Sequence, residues 1–531
     1  MLRTNPSVLR RSFRPLLVAS FPTGWRRHQS QRSIQKPSTA SPGSAVHHSP
    51  LFIHDHFAQS ADFTISFFKR FAKLSLLGIF TLGITGWSVF EATHMWVENV
   101  ELITERDDEI RRWEWDRDAE KWSGGELGGT DPALGFKARH ALRGAWMAEN
   151  WGVGSGATFI ANTSSGRSQG AGGLNVIEAR LVYAQQYLNF AVETAESSAG
   201  SGTLRPQTIN ELLTRQAAIL EHMGTSEAFF EARSKYERIW AGLAAKGSNA
   251  ARIALKLGDL NFRLGDSKDA LAWWTRAINL TQGSKLAGDS AEPTVSQSVP
   301  SFPSAQRTLA STLVSLSAYY STSGQLDLAR QIQESALILL HNARSPPSIS
   351  AASPPHVLHS LYLLHRSSLV SIHLAEVLYA LGSPRQSSID YLTRAAESSE
   401  RVALALSGLP FSSPGAKGSD IAHNPTQEAP IAPVYTRSIV MRKPAKGLLR
   451  DARRTAAEAW SLMGVLSEEE NNGGMERALE CYERALEWAG AASDGASGKG
   501  ASGEGTLESE RKVLWANYVR ARDAVRAQEK H

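Results

Sequence analysis

Residues 257–280 read LGDLNFRLGDSKDALAWWTRAINL. Small and large residues alternate at helical spacing: Leu257 and Gly258, a Gly265-Asp266 pair, then Ala270, Trp274 and Ala277. Apolar positions recurring every three or four residues mark two amphipathic helices, and the Gly-Asp pair marks the turn between them. The pattern returns three times: at 316–340 (LSAYYSTSGQLDLARQIQESALILL), at 374–396 (LAEVLYALGSPRQSSIDYLTRAA) and at 462–487 (LMGVLSEEENNGGMERALECYERALE). A weaker copy lies at 215–240. The equivalent positions are Ser317, Ala329, Gln333 and Ala336, then Ala375, Ser388, Leu392 and Ala395, then Gly464, Ala478, Tyr482 and Ala485. Gln333 departs from the bulky apolar type.

Small residues let two helices approach closely, and large ones fill the gap toward the next pair. This repeated antiparallel pair resembles the tetratricopeptide repeat. The resemblance implies an all-α fold, a TPR-like helical solenoid over 173–531. Ser-, Pro- and Gly-rich inserts are expected as loops near 281–305, 341–355, 408–447 and 489–506, and ERKVLWANYVRARDAVRAQ (510–528) as a capping helix.

The 531 residues carry a formal net charge of +5. No Asp or Glu occurs in residues 1–54, which hold Arg3, Arg10, Arg11, Arg14, Arg26, Arg27, Arg32 and Lys36. The remaining chain is therefore slightly acidic, which removes the electrostatic basis for nucleic-acid binding. One cysteine, Cys481, excludes a disulfide framework and a Cys-based zinc site, and its helical setting predicts a buried thiol.

An Arg- and Ser-rich, acid-free segment has the composition of a mitochondrial transit peptide, and residues 1–54 are read as one. Residues 70–96 then form a predicted transmembrane region, uncharged from Leu74 to Phe90. Gly78, Gly83 and Gly86 suit a membrane span better than a soluble helix. Lys69, Arg70 and Lys73 precede the span, and Glu91, Glu98, Glu101 and Glu105 follow it. After import that asymmetry keeps the basic end in the matrix and puts the C-terminal body in the intermembrane space.

Residues 97–172 read as a juxtamembrane region and linker. Within it, 91–122 is expected as one charged helix whose stripe of Val100, Ile103, Ile110 and Trp113 docks on the body or on a partner helix. His140 is expected as a surface or packing histidine. The glycine-rich GVGSG at 152–156 and GASGKGASG at 495–503 lack the lysine and preceding strand of a phosphate loop. No nucleophile elbow or His-Glu-x-x-His occurs, so no catalytic, cofactor or metal residue is assigned and the chain is not expected to be an enzyme.

A solenoid's first helices line a concave groove, and a groove binds polypeptide. By analogy with the repeat, Arg215, Arg252, Lys256, Asp259 and Arg263 are the candidate groove-lining residues. Arg252 and Lys256 match the basic pair with which chaperone-binding repeat proteins hold a C-terminal carboxylate; Thr214, Arg215 and Ala218 do not supply the rest of that clamp.

The order of leader, single span and repeats resembles a fungal mitochondrial inner-membrane family of adaptors of the i-AAA protease. That implies capture of unfolded or surplus client proteins, partners in those clients, a membrane AAA protease and the bilayer, and no cofactor. The same organisation also suits an assembly or import factor for respiratory-chain complexes. A third reading is a signal-anchored scaffold of the secretory pathway, for which Asn162-Thr-Ser and Asn279-Leu-Thr would be glycosylation acceptors.

Overall fold

The computed structural model describes residues 52–152, 158–160, 176–243, 247–283, 297–343, 352–409, 430–469, 473–489 and 508–528. The transit-like segment before residue 52, most of GVGSG, Asn162, GASGKGASG and at least half of each expected insert lie outside them. Two compact units are present, Met1–Gly83 and Ile84–His531. The described part of the first is helical and belongs to α1 (Phe52–Trp96). Leu74, Phe80, Leu82 and their apolar neighbours on α1 are exposed, and it is the one helix among the described residues long and apolar enough to cross a membrane.

The second unit is an α-solenoid. In chain order it holds α2 (Asp108–Arg112), α3 (Trp115–Asp118), α4 (Gly135–Trp151), α5 (Ala179–Ser198), α6 (Thr208–Met223), α7 (Ser226–Gly242), α8 (Ser248–Leu264), α9 (Ser267–Gln282) and α10 (Pro303–Thr322). After these come α11 (Leu326–Ala343), α12 (Pro354–Ala380), α13 (Arg385–Ser407), α14 (Pro433–Thr436), α15 (Ile439–Glu468), α16 (Gly474–Trp488) and α17 (Glu508–Gln528). The only paired strands described are β1 (Thr158–Ile160) and β2 (Val176–Glu178), an antiparallel ribbon between α4 and α5.

Six helix pairs stack in order: α4/α5, α6/α7, α8/α9, α10/α11, α12/α13 and α15/α16, with α17 on α16. Five of them coincide with the five sequence repeats. Their turns share one device: Gly224, Gly265, Gly324, Gly382 and Gly473 all take positive φ, between 70° and 90°. A residue with a Cβ is strained there, so glycine serves the turn: the first four stand just past the first helix, and Gly473 caps the start of α16.

Close approach inside the pairs rests on the small positions. A Cβ on Gly258 would stand 2.5 Å from Trp274 Cδ1, and one on Gly464 2.6 Å from Tyr482 Cε1. The fully buried Trp274 therefore lies directly on the backbone of its own first helix. It also reaches the next pair, with its ring 5.8 Å from that of Tyr319. In the α10/α11 pair the packing is polar: Gln333 Nε2 donates to Ser317 Oγ at 3.0 Å and to Ser321 Oγ at 2.9 Å. Gln333 is fully buried, and hydrogen bonds replace the aromatic ring. Leu257, Ala270, Ala277, Ala329, Ala336, Ala478 and Ala485 are buried as well.

Three features differ from the sequence expectation. The solenoid starts with α4 at Gly135, before residue 173. Residues 439–447, expected within an insert, open α15, with Met441 and Ala445 buried; likewise Pro303–Ala305 open α10. Residues 91–122 are not one helix. After Trp96 the chain makes a π-turn at Val97–Glu101, and Ile103 pairs with Gly128 as an isolated bridge. Competing bonds draw it out of helix: Gly129 N donates to Leu102 O at 2.6 Å, and Glu98 accepts from Thr130 N at 2.9 Å and Arg139 Nη2 at 3.0 Å.

Cys481 is buried between α15 and α13, and burial pushes its thiol up to about 11. A thiol reagent at neutral pH should label the native chain far more slowly than the urea-unfolded chain. Equal rates would place Cys481 at the surface.

Candidate peptide-binding groove

Helices α6, α8, α10, α12 and α15 are the first members of their pairs. Partners from all five converge on one stretch of chain, residues 105–122, so they share a common inner face. The stretch is acidic and carries Trp113, Trp115 and Trp122.

From α10, Arg307 Nε binds Asp118 Oδ2 at 2.6 Å, and its Nη atoms donate to the carbonyls of Trp113 (3.1 Å) and Glu114 (3.0 Å). Its guanidinium lies over the Trp115 ring, 4.0 Å from the centroid. Ser304 N and Oγ donate to Glu114 Oε2 at 3.1 and 2.8 Å. From α12, Pro355 O accepts from Trp115 Nε1 at 3.0 Å, and the His356 ring stacks on Trp113 at 3.9 Å. His359 Nδ1 lies 3.1 Å from Arg307 Nη1, while Nε2 lies 2.9 Å from Gln306 Oε1. Burial, with Arg307 and His356 beside it, holds His359 down at about 3, so the ring is neutral, accepting at Nδ1 and donating at Nε2.

From α15, Arg442 pairs with Glu101 at 3.2 Å, and the cap residue Ser438 donates to Glu105 at 2.5 Å. Lys443 pairs with Glu120 and, at 3.1 Å, with Glu149 of α4. Glu149 also takes both oxygens to Arg215 of α6, at 2.8 and 3.0 Å. The first and last pairs are thus joined across the inner face by Glu149, Arg215, Glu120 and Lys443. Burial alone would raise the Glu149 carboxyl, but Arg215 and Lys443 hold it down at about 2.

The five candidate residues sit in different settings. Arg215 is 3 % exposed, clasped by Glu149 and Glu120, with its guanidinium over Trp122 at 4.8 Å. Arg252 donates to Arg117 O at 2.6 Å and faces Asp118 at 3.6 Å. Lys256 is exposed and pairs with Glu221 at 2.9 Å. Arg263 is exposed over the Phe229 ring. Asp259 does not face the groove. It accepts from Trp274 Nε1 (3.0 Å) and Ser315 Oγ (2.8 Å) and so stitches α8 to α9 and α10, with burial raising its carboxyl above the ordinary range.

Arg215 and Arg252 thus have their partners supplied by the chain itself. Sequence reading missed Arg307, Arg442, Lys443 and Glu149. The signal available was the charge pairing between a carboxylate-rich, Trp-bearing stretch and arginines on first helices. Of the 91–122 stripe, Ile110 is 2 % exposed and Trp113 packs beside it against the body, whereas Ile103 is exposed; Trp115, which lies off the stripe, is buried as well.

His140 bridges Glu91 at 2.8 Å and the carbonyl of Phe136 at 3.0 Å, a packing role. Among the described residues no group of three His, Cys, Asp or Glu side chains is placed to hold a metal. No protein-family model matches the chain, and no curated protein matches it significantly.

Proposed function

We propose that this chain is a membrane-anchored protein-binding adaptor. In this reading residues 74–90 cross the mitochondrial inner membrane, the solenoid works in the intermembrane space, and captured client proteins pass to an inner-membrane AAA protease. The observation that carries the reading is the exposed apolar surface of α1 on a chain whose described helices from α4 onward form a solenoid with a charged inner face. A groove fixed to the bilayer raises the local concentration of its client beside an enzyme in the same membrane. Orientation rests on Lys69, Arg70 and Lys73 alone. Glu91 and Glu98, on the other side, are spent on His140, Thr130 and Arg139, and acidic residues weigh little in the rule.

Two experiments test the proposal. Protease added to mitoplasts should digest the solenoid once the outer membrane is opened; a protected body would reverse the orientation. Immunoprecipitation from solubilised mitochondria should bring down an AAA protease. Oxidoreductase subunits in its place would move the chain to the assembly factors. A glycosidase-sensitive mass shift would move it to the secretory pathway, although Asn279 stands within α9 and its partner Thr281 is buried and bonded to Ile278 O.

A further inference from the structure

Resting on that protein-binding reading, we propose that the inner face is a receptor for acidic, tryptophan-bearing peptide segments, with residues 105–122 as its built-in occupant. A client of the same chemistry displaces them.

The inner face is matched to this chemistry at every step. Arg307, Arg252, Arg215 and Lys443 meet Asp118 and Glu120 along the stretch, and Arg442 meets Glu101 just before it. Each of the three tryptophans meets a ring or guanidinium: Trp113 on His356, Trp115 under Arg307 and Trp122 under Arg215. Arginine offers a planar fork to carboxylates and a flat face to aromatic rings, so one residue type reads both groups.

The occupant is held differently from the walls. The helix pairs bind one another through apolar cores, whereas 105–122 contains only the short α2 and α3 and is broken between them at Glu114, a non-glycine residue at φ 53°. Its attachments combine side-chain ion pairs and hydrogen bonds with the apolar burial of Ile110, Trp115 and Trp122 and the packing of Trp113. It can leave as a unit without separating any helix pair. A client supplying its own carboxylates and indole restores what the arginines lose. A tethered occupant competes at an effective concentration on the order of millimolar, so in the closed state the face admits weak ligands poorly.

The test uses a fluorescein-labelled peptide, ERDDEIRRWEWDRDAEKW, the sequence of 105–122, against the full chain in detergent micelles, read by anisotropy. A D118N/E120Q variant weakens the occupant by removing the carboxylates that it offers to Arg307, Arg252, Arg215 and Lys443, while Glu149 still holds Arg215 and Lys443. It should bind the peptide at least tenfold more tightly than the unaltered chain, and a peptide with every Asp and Glu amidated should bind neither. A folded variant, with unchanged helicity and melting, that binds no more tightly than the unaltered chain overturns the proposal. If the variant fails to fold, hydrogen exchange on the unaltered chain decides. Residues 105–122 should exchange through an opening that leaves α8 and α10 protected; protection equal to that of α10 overturns the proposal. Neither readout involves a protease. Peptide binding without co-purification of an AAA protease would leave the receptor standing and remove only the quality-control role.

Discussion

Trp274→Ala is expected to destabilise the solenoid by about 3–5 kcal/mol, the usual cost of deleting a fully buried indole. The loss is not one of volume alone. Trp274 packs on the backbone at Gly258, reaches Tyr319 in the next pair and donates to Asp259. Removing it leaves a cavity at a joint between pairs, and a half-buried carboxylate without one of its two donors. In a stack where each pair touches only its neighbours, the damage appears as early melting of the flanking pairs. Urea unfolding followed by circular dichroism measures it, and a change under about 1 kcal/mol would mean that the ring does not hold the joint.

The glycine opposite supplies the converse experiment. Alanine normally gains about 1 kcal/mol over glycine in a helix. At Gly258 the new methyl would meet the indole at 2.5 Å, so overpacking of about 1–3 kcal/mol should outweigh the gain. Gly447 in α15 has nothing within 4 Å of an added Cβ, and there the same substitution should stabilise.

Arg215→Met is expected to cost about 3–5 kcal/mol, because it leaves Glu149 buried with one of its two cationic partners gone. The pair as a whole contributes much less than that. Arg215→Met with Glu149→Leu should therefore recover most of the loss, and the cycle of single and double variants isolates the coupling. Acid gives an independent handle. Glu149 is held at about 2, below its ordinary value of 4.5, so its contribution to stability is complete above the ordinary value. It drains away as pH falls from there toward 2. Glu149→Gln should flatten that part of the acid-unfolding curve, and an unchanged curve would show that Glu149 is not paired in solution.

The helix pairs were legible because their signals are local. Gly265 and the small-large set around Gly258 and Trp274 lie within one window of sequence, and four further windows repeat them. The first pair escaped notice because residues 152–178 separate α4 from α5, with no short glycine turn between them. The groove was legible only in part. Arg215 and Arg252 do stand on the inner face, but nothing near them in sequence announces what fills it. Ser438 meets Glu105 across a separation of 333 residues, and Ser304 meets Glu114 across 190. Periodicity does not reach over such distances. The stripe at 91–122 looked helical because its spacing is helical; tertiary ion pairs and the backbone bonds near Gly128 override that preference.

The tight glycine reversals at 224, 265, 324, 382 and 473 all join a first helix to its own second helix. The stretches between Gly283 and Pro303, Ala343 and Pro354, Gly408 and Pro433, and Ala489 and Glu508 all leave from a second helix. Since helices of one kind run side by side in the same direction, the five glycine hairpins gather along one rim and the helix ends at Gly283, Ala343, Gly408 and Ala489 along the other. A foreign domain spliced after Gly408, where a second helix has ended, would leave every glycine hairpin intact, and one spliced at 265 would prise a pair apart.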